Sequence, residues 1–249
     1  MNKSFINKFC RKFGFEIHGT GYLQSVQKTS FKEDAFLKQQ EITGQGTRVI
    51  VDIGANVGDT VLRYHALFPK AEIYAFEPFP DSFTTLQNRV SGIETVTGYQ
   101  KAISDKSGTK EFFVNHNTAT NSLLQPQKMG LSSDKEVANK LVIVVDVLSI
   151  DDFCTTNKIE TIDILKLDIQ GGELAALRGA AKMLKEKKIN LIYTEAYFKQ
   201  QYVDQPLLHD ISTYLQQYDY FIQDIYEPIY GKGSLAWCDA IFLKGNRKL

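Results

Sequence analysis

The sequence is poor in cysteine, tryptophan and histidine, and it has no excess of charge of either sign. Its 249 residues include three cysteines, one tryptophan and four histidines, and 29 basic residues balance 29 acidic ones. Cys10, Cys154 and Cys238 are far apart, which excludes a disulfide framework and a CxxC metal site. So few cysteines favour a reducing, cytoplasmic compartment. The zero net charge excludes a global basic field that would attract nucleic acid.

Long apolar runs are also missing, so we predict no transmembrane segment. Hydrophobic residues make up 43% of the chain and charged residues 23%, which is ordinary for a globular protein with a sizeable core. Residues 1–13 combine apolar positions at helical spacing with basic side chains. This pattern predicts a short amphipathic helix. We favour its packing on the domain or on a partner chain over peripheral contact with a membrane surface.

The most informative stretch is an apolar run, residues 48–53, that ends in a turn containing Gly54 and Gly58. A helical pattern follows at once, and a second apolar run ends at Glu77, 23 residues after Gly54. This is the layout of a nucleoside-binding βαβ unit. The glycines carry no Cβ, so the backbone can bend sharply and approach a ligand. We predict that Glu77 accepts hydrogen bonds from the ribose hydroxyls.

Two residues distinguish this turn from a dinucleotide site. Asn56 stands where the dinucleotide pattern has the glycine that makes room for a pyrophosphate. Asp52 precedes the turn, and its carboxylate would repel a pyrophosphate but attract a cationic group such as a sulfonium. The turn therefore favours S-adenosylmethionine as cofactor, held in part by Asp52, Gly54, Asn56 and Gly58, and disfavours an NAD-dependent oxidoreductase.

Four blocks now point to a family. In chain order they are Asp52-Ile53-Gly54-Ala55-Asn56-Val57-Gly58, Phe76-Glu77-Pro78, Ala102-Ile103-Ser104-Asp105 and Ile164-Leu165-Lys166-Leu167-Asp168-Ile169-Gln170-Gly171-Gly172-Glu173. With these blocks the chain resembles the FkbM family of S-adenosylmethionine-dependent methyltransferases, from about residue 45 to residue 243. The resemblance places the adenine near Ala102 and Ser104. The family commonly has Glu at position 170, so no role for a carboxylate is expected there.

The resemblance implies an α/β class I methyltransferase fold of the Rossmann-like type. Its sheet is seven-stranded and mostly parallel with helices on both faces, as the alternation of strand and helix patterns also indicates. We predict an N-terminal helical extension (1–47) and one methyltransferase domain (48–249), with a β insertion (106–148) that roofs the substrate site. Within the domain we predict a strand over residues 94–103 and one helix over residues 173–186.

Three residues are candidates for the chemistry. Asp168 ends the fourth core strand, where its carboxylate either lies near the methionine part of the cofactor or the acceptor hydroxyl, or caps the next helix. Glu195 ends the fifth, where it either binds acceptor hydroxyls or is a rim charge. His116 lies in the insertion and could act as a base only if the insertion folds over the cleft; a solvated loop residue is the favoured interpretation. Asp168, Glu195 and Asp239 could form an oxygen site for Mg²⁺, but their spacing does not demand one, and we predict no metal.

These observations predict an S-adenosylmethionine-dependent O-methyltransferase that acts on a hydroxyl of a sugar or glycan. The preference for a sugar comes from the family resemblance and not from any residue count. The alternatives are methylation of a small secondary metabolite or amine, and a non-catalytic cofactor-binding subunit of a larger assembly. The sequence leaves the oligomeric state open, with a homo-oligomer as one alternative.

Overall fold

A computed structural model describes residues 34–127, 139–231 and 233–245, and residues from Asp34 onward form one compact unit. The predicted helix in residues 1–13 lies outside the described residues. Numbered along the described chain, the helices are α1 (Ala35–Thr43), α2 (Asp59–Leu67), α3 (Pro80–Val90), α4 (Ile150–Thr156), α5 (Glu173–Arg178), α6 (Ala181–Lys185) and α7 (Leu208–Gln216). The strands are β1 (Val49–Ile53), β2 (Glu72–Phe76), β3 (Val96–Tyr99), β4 (Ala102–Ile103), β5 (Gly108–Asn115), β6 (Asn139–Leu148), β7 (Ile162–Leu167), β8 (Ile189–Tyr197), β9 (Tyr220–Gly231) and β10 (Ser234–Lys244).

The main sheet has seven strands in the order β3-β2-β1-β7-β8-β10-β9. The first five strands of this order pair in parallel, and β10 runs antiparallel between β8 and β9. The predicted class I methyltransferase fold is thereby confirmed, and β9 and β10 form a C-terminal hairpin. The order reverses at β1 and β7, so the loops after these strands diverge and leave a crevice at their carboxyl ends.

Helices cover both faces of this sheet, and each face has its own hydrophobic core. One core lies under α1, α2 and α3 and includes the fully buried ring of Tyr64. The other lies under α4 to α7 and includes the buried rings of Phe76 and Phe153, which meet edge to face with centroids 4.9 Å apart. Burial on both faces explains why the parallel strands read as nearly continuous apolar runs.

The described part of the predicted N-terminal extension packs on the methyltransferase core. The carboxylate of Asp34 caps α1 by accepting hydrogen bonds from the amides of Phe36 (2.9 Å) and Leu37 (3.3 Å). The ring of Phe36 lies edge-on to Tyr193 of β8, 5.6 Å between centroids. The hydroxyl of Tyr64 donates to Gln39 Oε1 at 2.8 Å. Helix α1 therefore belongs to the compact unit, although the sequence predicts that the domain begins after residue 47.

Two predicted elements are each divided in the structure. The strand predicted over residues 94–103 is split into β3, which joins the main sheet, and β4, which pairs with β6 in a separate three-stranded sheet of order β4-β6-β5. The helix predicted over residues 173–186 is broken between α5 and α6 at Gly179. A Cβ at Gly179 would lie 2.2 Å from the carbonyl oxygen of Ser104, so a long-range contact fixes the break.

The C-terminal hairpin extends past the carboxyl end of β8. Trp237 of β10 pairs with Tyr197, the last residue of β8, and Tyr230, Gly231 and residues 233–236 lie beyond that point. The turn of the hairpin therefore lies at the crevice edge of the sheet. None of the helices in the described ranges has the length and apolar character needed to cross a membrane.

Candidate active site

The loop after β1 is drawn tightly against the loop after β7. Gly54 adopts a φ of 81°, and a Cβ there would lie 1.8 Å from the carbonyl oxygen of Asp168. The amide of Asp168 in turn donates to the carbonyl of Ile53 at 3.0 Å. Gly54 is therefore required by the contact between two loops as well as by its backbone conformation. Gly58, with a φ of 92°, packs in the same way against Leu86 of α3.

Glu77, at the end of β2, holds the first loop from the other side. Its Oε2 accepts from the amide of Asn56 at 2.9 Å, and its Oε1 accepts from the amide of Phe79 at 2.8 Å. Burial raises the pKa of the Glu77 carboxyl to about 7, although both amide hydrogen bonds oppose that shift. Each oxygen keeps a further lone pair for a ligand hydroxyl. The buried Oδ1 of Asn56 has no partner among the described residues.

A narrow apolar slot opens beside Glu77. Its walls come from the ends of β1 and β2, from β4 and from the insertion. They are formed by Ile53, Gly54, Phe76, Pro78, Lys101, Ala102, Ile103, Phe112, Leu123, Asp168 and Ile169. Ser104 does not line the slot. Its hydroxyl donates to Asp105 Oδ1 at 3.0 Å and accepts from Lys110 Nζ at 2.6 Å.

Asp52 lies below the slot in a buried ion pair that the sequence analysis did not predict. The Nζ of Lys166, on β7, lies 3.0 Å from Asp52 Oδ1, and both side chains are almost fully buried. Burial disfavours the charge on Lys166, but the carboxylates of Asp52 and Asp168 outweigh it and hold its pKa above the usual value. Lys166 Nζ also donates to the carbonyl of Gly54 at 3.0 Å. Asp52 is thus neutralised by Lys166 instead of presenting a free charge to a sulfonium.

Asp168 directly follows β7 and Glu195 lies near the end of the adjacent strand β8, and a single amide bridges the two side chains. Gln170 Nε2 donates to Asp168 Oδ1 at 3.1 Å and to Glu195 Oε2 at 2.8 Å. The Oε1 of the same amide accepts from Tyr197 (3.0 Å) and Tyr202 (3.1 Å). Gln170 has a φ of 55°, so a left-handed backbone turns its side chain into the crevice. The side chain of Asp168 remains 45% exposed and accessible.

The second carboxylate, Glu195, lies deeper than Asp168. Its Oε2 accepts from the hydroxyl of Tyr197 at 2.6 Å. Burial, together with the carboxylates of Asp168 and Glu173, raises the pKa of Glu195 well above its usual range. Asp239 of β10 lies directly opposite Glu195 of β8. Burial raises the pKa of Asp239 to about 6, although a 2.5 Å hydrogen bond from Tyr193 opposes that shift. Proton affinity is thus raised at two carboxylates beside the exposed Asp168.

The loop between Asp168 and α5 is fixed by Glu173, the first residue of α5. Glu173 is almost fully buried, and its Oε1 accepts from the amides of Ile169 (3.0 Å) and Gly171 (3.2 Å). The N-cap of α5 is Gly172, and the carboxylate of Asp168 does not cap this helix. The alternative role for Asp168 as a helix cap is therefore wrong.

The insertion contacts this loop from above. The hydroxyl of Ser122 donates to the carbonyl of Gln170 at 2.8 Å, and the hydroxyl of Tyr202 donates to the carbonyl of Thr120 at 2.8 Å. His116, near the start of the same loop, is exposed and has no hydrogen bond or ion pair within the described part of the chain. The structure thus unites Asp168 with Glu195 and leaves His116 in solvent. Among the described residues no cluster of His, Cys, Asp and Glu is arranged to hold a metal ion.

These features fit a bound nucleoside. The slot is mostly apolar, and the adjacent Glu77 can accept two hydroxyl donors. The unpartnered Oδ1 of Asn56 lies in the loop that Glu77 holds. The crevice carboxylates begin where the slot ends, at Asp168. With the strand order of the main sheet, this arrangement defines a class I S-adenosylmethionine-dependent methyltransferase.

Comparison with known proteins identifies the family. Residues 52–222 match the methyltransferase FkbM domain, and the chain belongs to this family. The chain is 30% identical over 182 residues to the 2-O-methyltransferase NoeI of Sinorhizobium fredii, covering 70% of this chain and 74% of NoeI. It is 25% identical over 152 residues to the hexuronic acid methyltransferase AglP of Haloferax volcanii, covering 60% of this chain but only 56% of AglP.

Among solved structures, one similar chain is the magnesium protoporphyrin IX methyltransferase of Synechocystis with bound S-adenosylmethionine. The TM-score is 0.49 at 10% identity, and the alignment covers 98% of this chain and 97% of that one. By the family match over residues 52–222, the protein is an enzyme of the FkbM methyltransferase family, and its cofactor is S-adenosylmethionine.

Proposed function

We propose that this enzyme transfers the methyl group of S-adenosylmethionine to a hydroxyl group of a sugar or glycan. The observation that carries the proposal is the pair Asp168 and Glu195, bridged by Gln170 at the end of the cofactor slot. Carboxylates in a crevice accept hydrogen bonds from hydroxyl groups, and one of them can remove a proton as the oxygen attacks. The names of NoeI and AglP, a 2-O-methyltransferase and a hexuronic acid methyltransferase, support this acceptor class.

The cofactor supplies an electrophilic methyl group carried on a sulfonium. In our proposal Glu77 holds the ribose, the walls around Ala102 hold the adenine, and the backbone of the Gly54 turn lies against the rest of the cofactor. Gly58 and Asn56 keep that turn in shape. Asp52 acts indirectly, because its pairing with Lys166 fixes the carbonyl of Gly54.

The acceptor side of the crevice is assigned to Asp168 and Glu195. Asp168 is exposed enough to reach an acceptor hydroxyl and accepts its proton. Glu195 is held by Tyr197 and Gln170, and it orients a neighbouring hydroxyl. Alignment of the hydroxyl with the methyl group supplies most of the rate enhancement. The described part of the insertion, which contacts the carbonyl of Gln170 through Ser122, excludes water from above, and His116 is left outside the reaction.

The proposal is tested by a transfer screen. The purified full chain is incubated with S-adenosylmethionine carrying a radiolabelled methyl group and with panels of nucleotide sugars, free oligosaccharides, phenolic metabolites and amines. We expect label in at least one sugar and none in the amines. Label confined to the metabolite or amine panels would contradict the sugar assignment but leave the enzyme class intact.

A further inference from the structure

The acceptor end of the crevice carries a ladder of paired side chains on β8 and β10. Residues directly opposite each other in an antiparallel pair project from the same face of the sheet. Glu195 lies opposite Asp239, and one step further out Tyr197 lies opposite Trp237. Two carboxylates and two aromatic rings therefore share one face next to the cofactor slot.

In the aromatic pair, Tyr197 is fixed by its hydrogen bonds, whereas Trp237 is accessible to a ligand. The ring centroids of Tyr197 and Trp237 are 6.1 Å apart, with the planes inclined by 34°. Tyr197 is buried, and its hydroxyl is committed to Glu195 and Gln170. Trp237 is partly exposed, and its indole N–H has no hydrogen-bond partner within the described ranges. Trp237, packed against the buried Tyr197, offers an apolar surface with one unused donor, which is the composition of a ligand subsite.

The side chains beside this surface are mainly acidic. Burial and the carboxylate of Asp168 raise the pKa of Glu195 well above its usual range and that of Asp239 to about 6. Lys166 Nζ lies 3.7 Å from Asp168 Oδ2, but it is closer to Asp52 Oδ1, at 3.0 Å. A ligand that brought a further carboxylate or phosphate to this face would meet repulsion, whereas hydroxyl groups would find acceptors.

We propose that the accessible part of Trp237, supported from behind by the buried ring of Tyr197, is the platform for the acceptor sugar ring, and that the acidic side chains beside it select a ring without an acidic group. This inference rests on the proposed function and adds the substrate class to it. An uncharged pyranose has an apolar C–H face for the aromatic pair and an edge of hydroxyls for Glu195 and Asp239. An acidic ring binds more weakly because its carboxylate is repelled by the acidic side chains of the site.

Trp237 is the sole tryptophan of the chain, so its fluorescence reports on the platform directly. The full chain, saturated with S-adenosylhomocysteine, is titrated with matched methyl glycosides of gluco, galacto and manno configuration. Each pair contains a neutral hexoside and the corresponding hexuronic acid. We expect saturable quenching by the neutral member of at least one pair, and binding of its acidic partner that is about tenfold weaker or worse.

The outcomes separate this inference from the proposed function. An acidic member that binds as tightly as its neutral partner, or that is the better methyl acceptor, overturns the selection rule while sugar methylation stands. A sugar that is methylated without any change in tryptophan emission overturns the platform. If no sugar is bound or methylated, both proposals fail.

Variants add a second readout. Trp237→Ala should raise the acceptor KM by about tenfold or more, with the S-adenosylhomocysteine Kd unchanged, while Trp237→Phe should retain most of the affinity because it keeps an aromatic face. Ile222→Ala, an exposed position toward the other end of the same hairpin, is the matched control. Asp239→Asn should narrow the preference for neutral over acidic rings. An unchanged KM in Trp237→Ala, or an unchanged preference in Asp239→Asn, contradicts the proposal.

Discussion

Lys166 and Asp52 form a buried ion pair, Nζ to Oδ1 3.0 Å, that ties β7 to β1 directly beneath the cofactor slot. A third group completes the arrangement, since the hydroxyl of Thr60 on α2 donates to Asp52 Oδ2. Because Lys166 also binds the carbonyl of Gly54, the pair fixes the turn that we assign to the cofactor. Its removal should therefore affect folding as well as binding.

We expect Lys166→Met to lower the free energy of unfolding by about 3–5 kcal/mol, because it leaves the carboxylate of Asp52 buried without a counter-charge. The double variant Asp52→Asn/Lys166→Met should lose less than the sum of the single variants, since the residual charge is gone. Urea unfolding of the three variants gives both quantities. A loss below about 1 kcal/mol in Lys166→Met would show that the pair is unimportant for stability.

Gly54→Ala should both destabilise the fold and abolish binding of S-adenosylhomocysteine. Its Cβ would lie 1.8 Å from the carbonyl oxygen of Asp168, so the two loops must separate. Gly92→Ala is the matched control, because Gly92 has a similar φ of 88° but a Cβ added there would meet no atom within 4 Å. The control should show only the cost of the left-handed backbone, about 1–3 kcal/mol. Equal losses of affinity in both variants, measured by calorimetry, would contradict the loop contact.

Cofactor binding should depend on pH through Glu77. Ribose hydroxyls need the ionised carboxylate as acceptor, and burial raises the pKa of Glu77 to about 7. We expect S-adenosylhomocysteine to bind about tenfold more weakly at about pH 6 than at about pH 8, since one unit below its pKa only about a tenth of a group is ionised. Glu77→Gln should bind weakly with a flat pH profile, and a profile that stays steep in this variant would assign the titration to another group.

The same pKa shift has the opposite sign for stability. The folded pKa of Glu77 lies above its ordinary value of 4.5, so the protonated form is favoured in the ligand-free fold. The contribution of this shift to the free energy of unfolding is therefore fully present below about pH 4.5, and it is lost as the pH rises through about 7. Saturating ligand should reduce this loss, and thermal unfolding with and without S-adenosylhomocysteine measures the difference.

Gln170→Glu tests the amide bridge between the two crevice carboxylates. A carboxylate cannot donate to Asp168 and Glu195, and it adds a third negative charge between them. Loss of hydrogen bonds to charged groups, each about 1.5–3 kcal/mol, should lower kcat by about 10–100-fold near pH 8. Activity should recover toward pH 6, as the new carboxyl is protonated and can donate again. Gln223→Glu, at an exposed position of β9, is the control; a wild-type kcat in Gln170→Glu would show that the bridge is dispensable.

Local patterns predicted much of the fold. The apolar run over residues 48–53 and the run that ends at Glu77 form β1 and β2, because nearly continuous apolar runs are local signals of parallel strands buried on both faces. The seven-stranded, mostly parallel sheet followed from the family resemblance. Contacts between distant segments had no such signal, so the break at Gly179 and the split between β3 and β4 were missed.

The site was predicted as a set of residues but not as a network. Asp168 and Glu195 were placed together because the ends of parallel strands meet at one edge of a sheet. The ion pair of Lys166 was not predicted, although a lysine inside the apolar run Ile162–Leu167 is a recognisable signal of a buried counter-charge. The roles of Gln170 and Trp237 depend on partners in other strands and on a left-handed backbone, which the sequence does not reveal.

The most direct test of the account follows the methyl group itself. Wild-type enzyme and Asp168→Asn are incubated with S-adenosylmethionine carrying an isotope-labelled methyl group and with the sugar found in the transfer screen, and the product is observed by NMR. For wild type we expect an O-methyl ether on a ring carbon. For Asp168→Asn we expect a kcat lower by roughly 10²–10⁴-fold, as for loss of a general base. Its Kd for S-adenosylhomocysteine should be unchanged. For His116→Ala we expect a kcat close to that of the wild type. An O-methyl signal that is undiminished in Asp168→Asn but lost in His116→Ala, or a wild-type product labelled on nitrogen or carbon, would contradict the account.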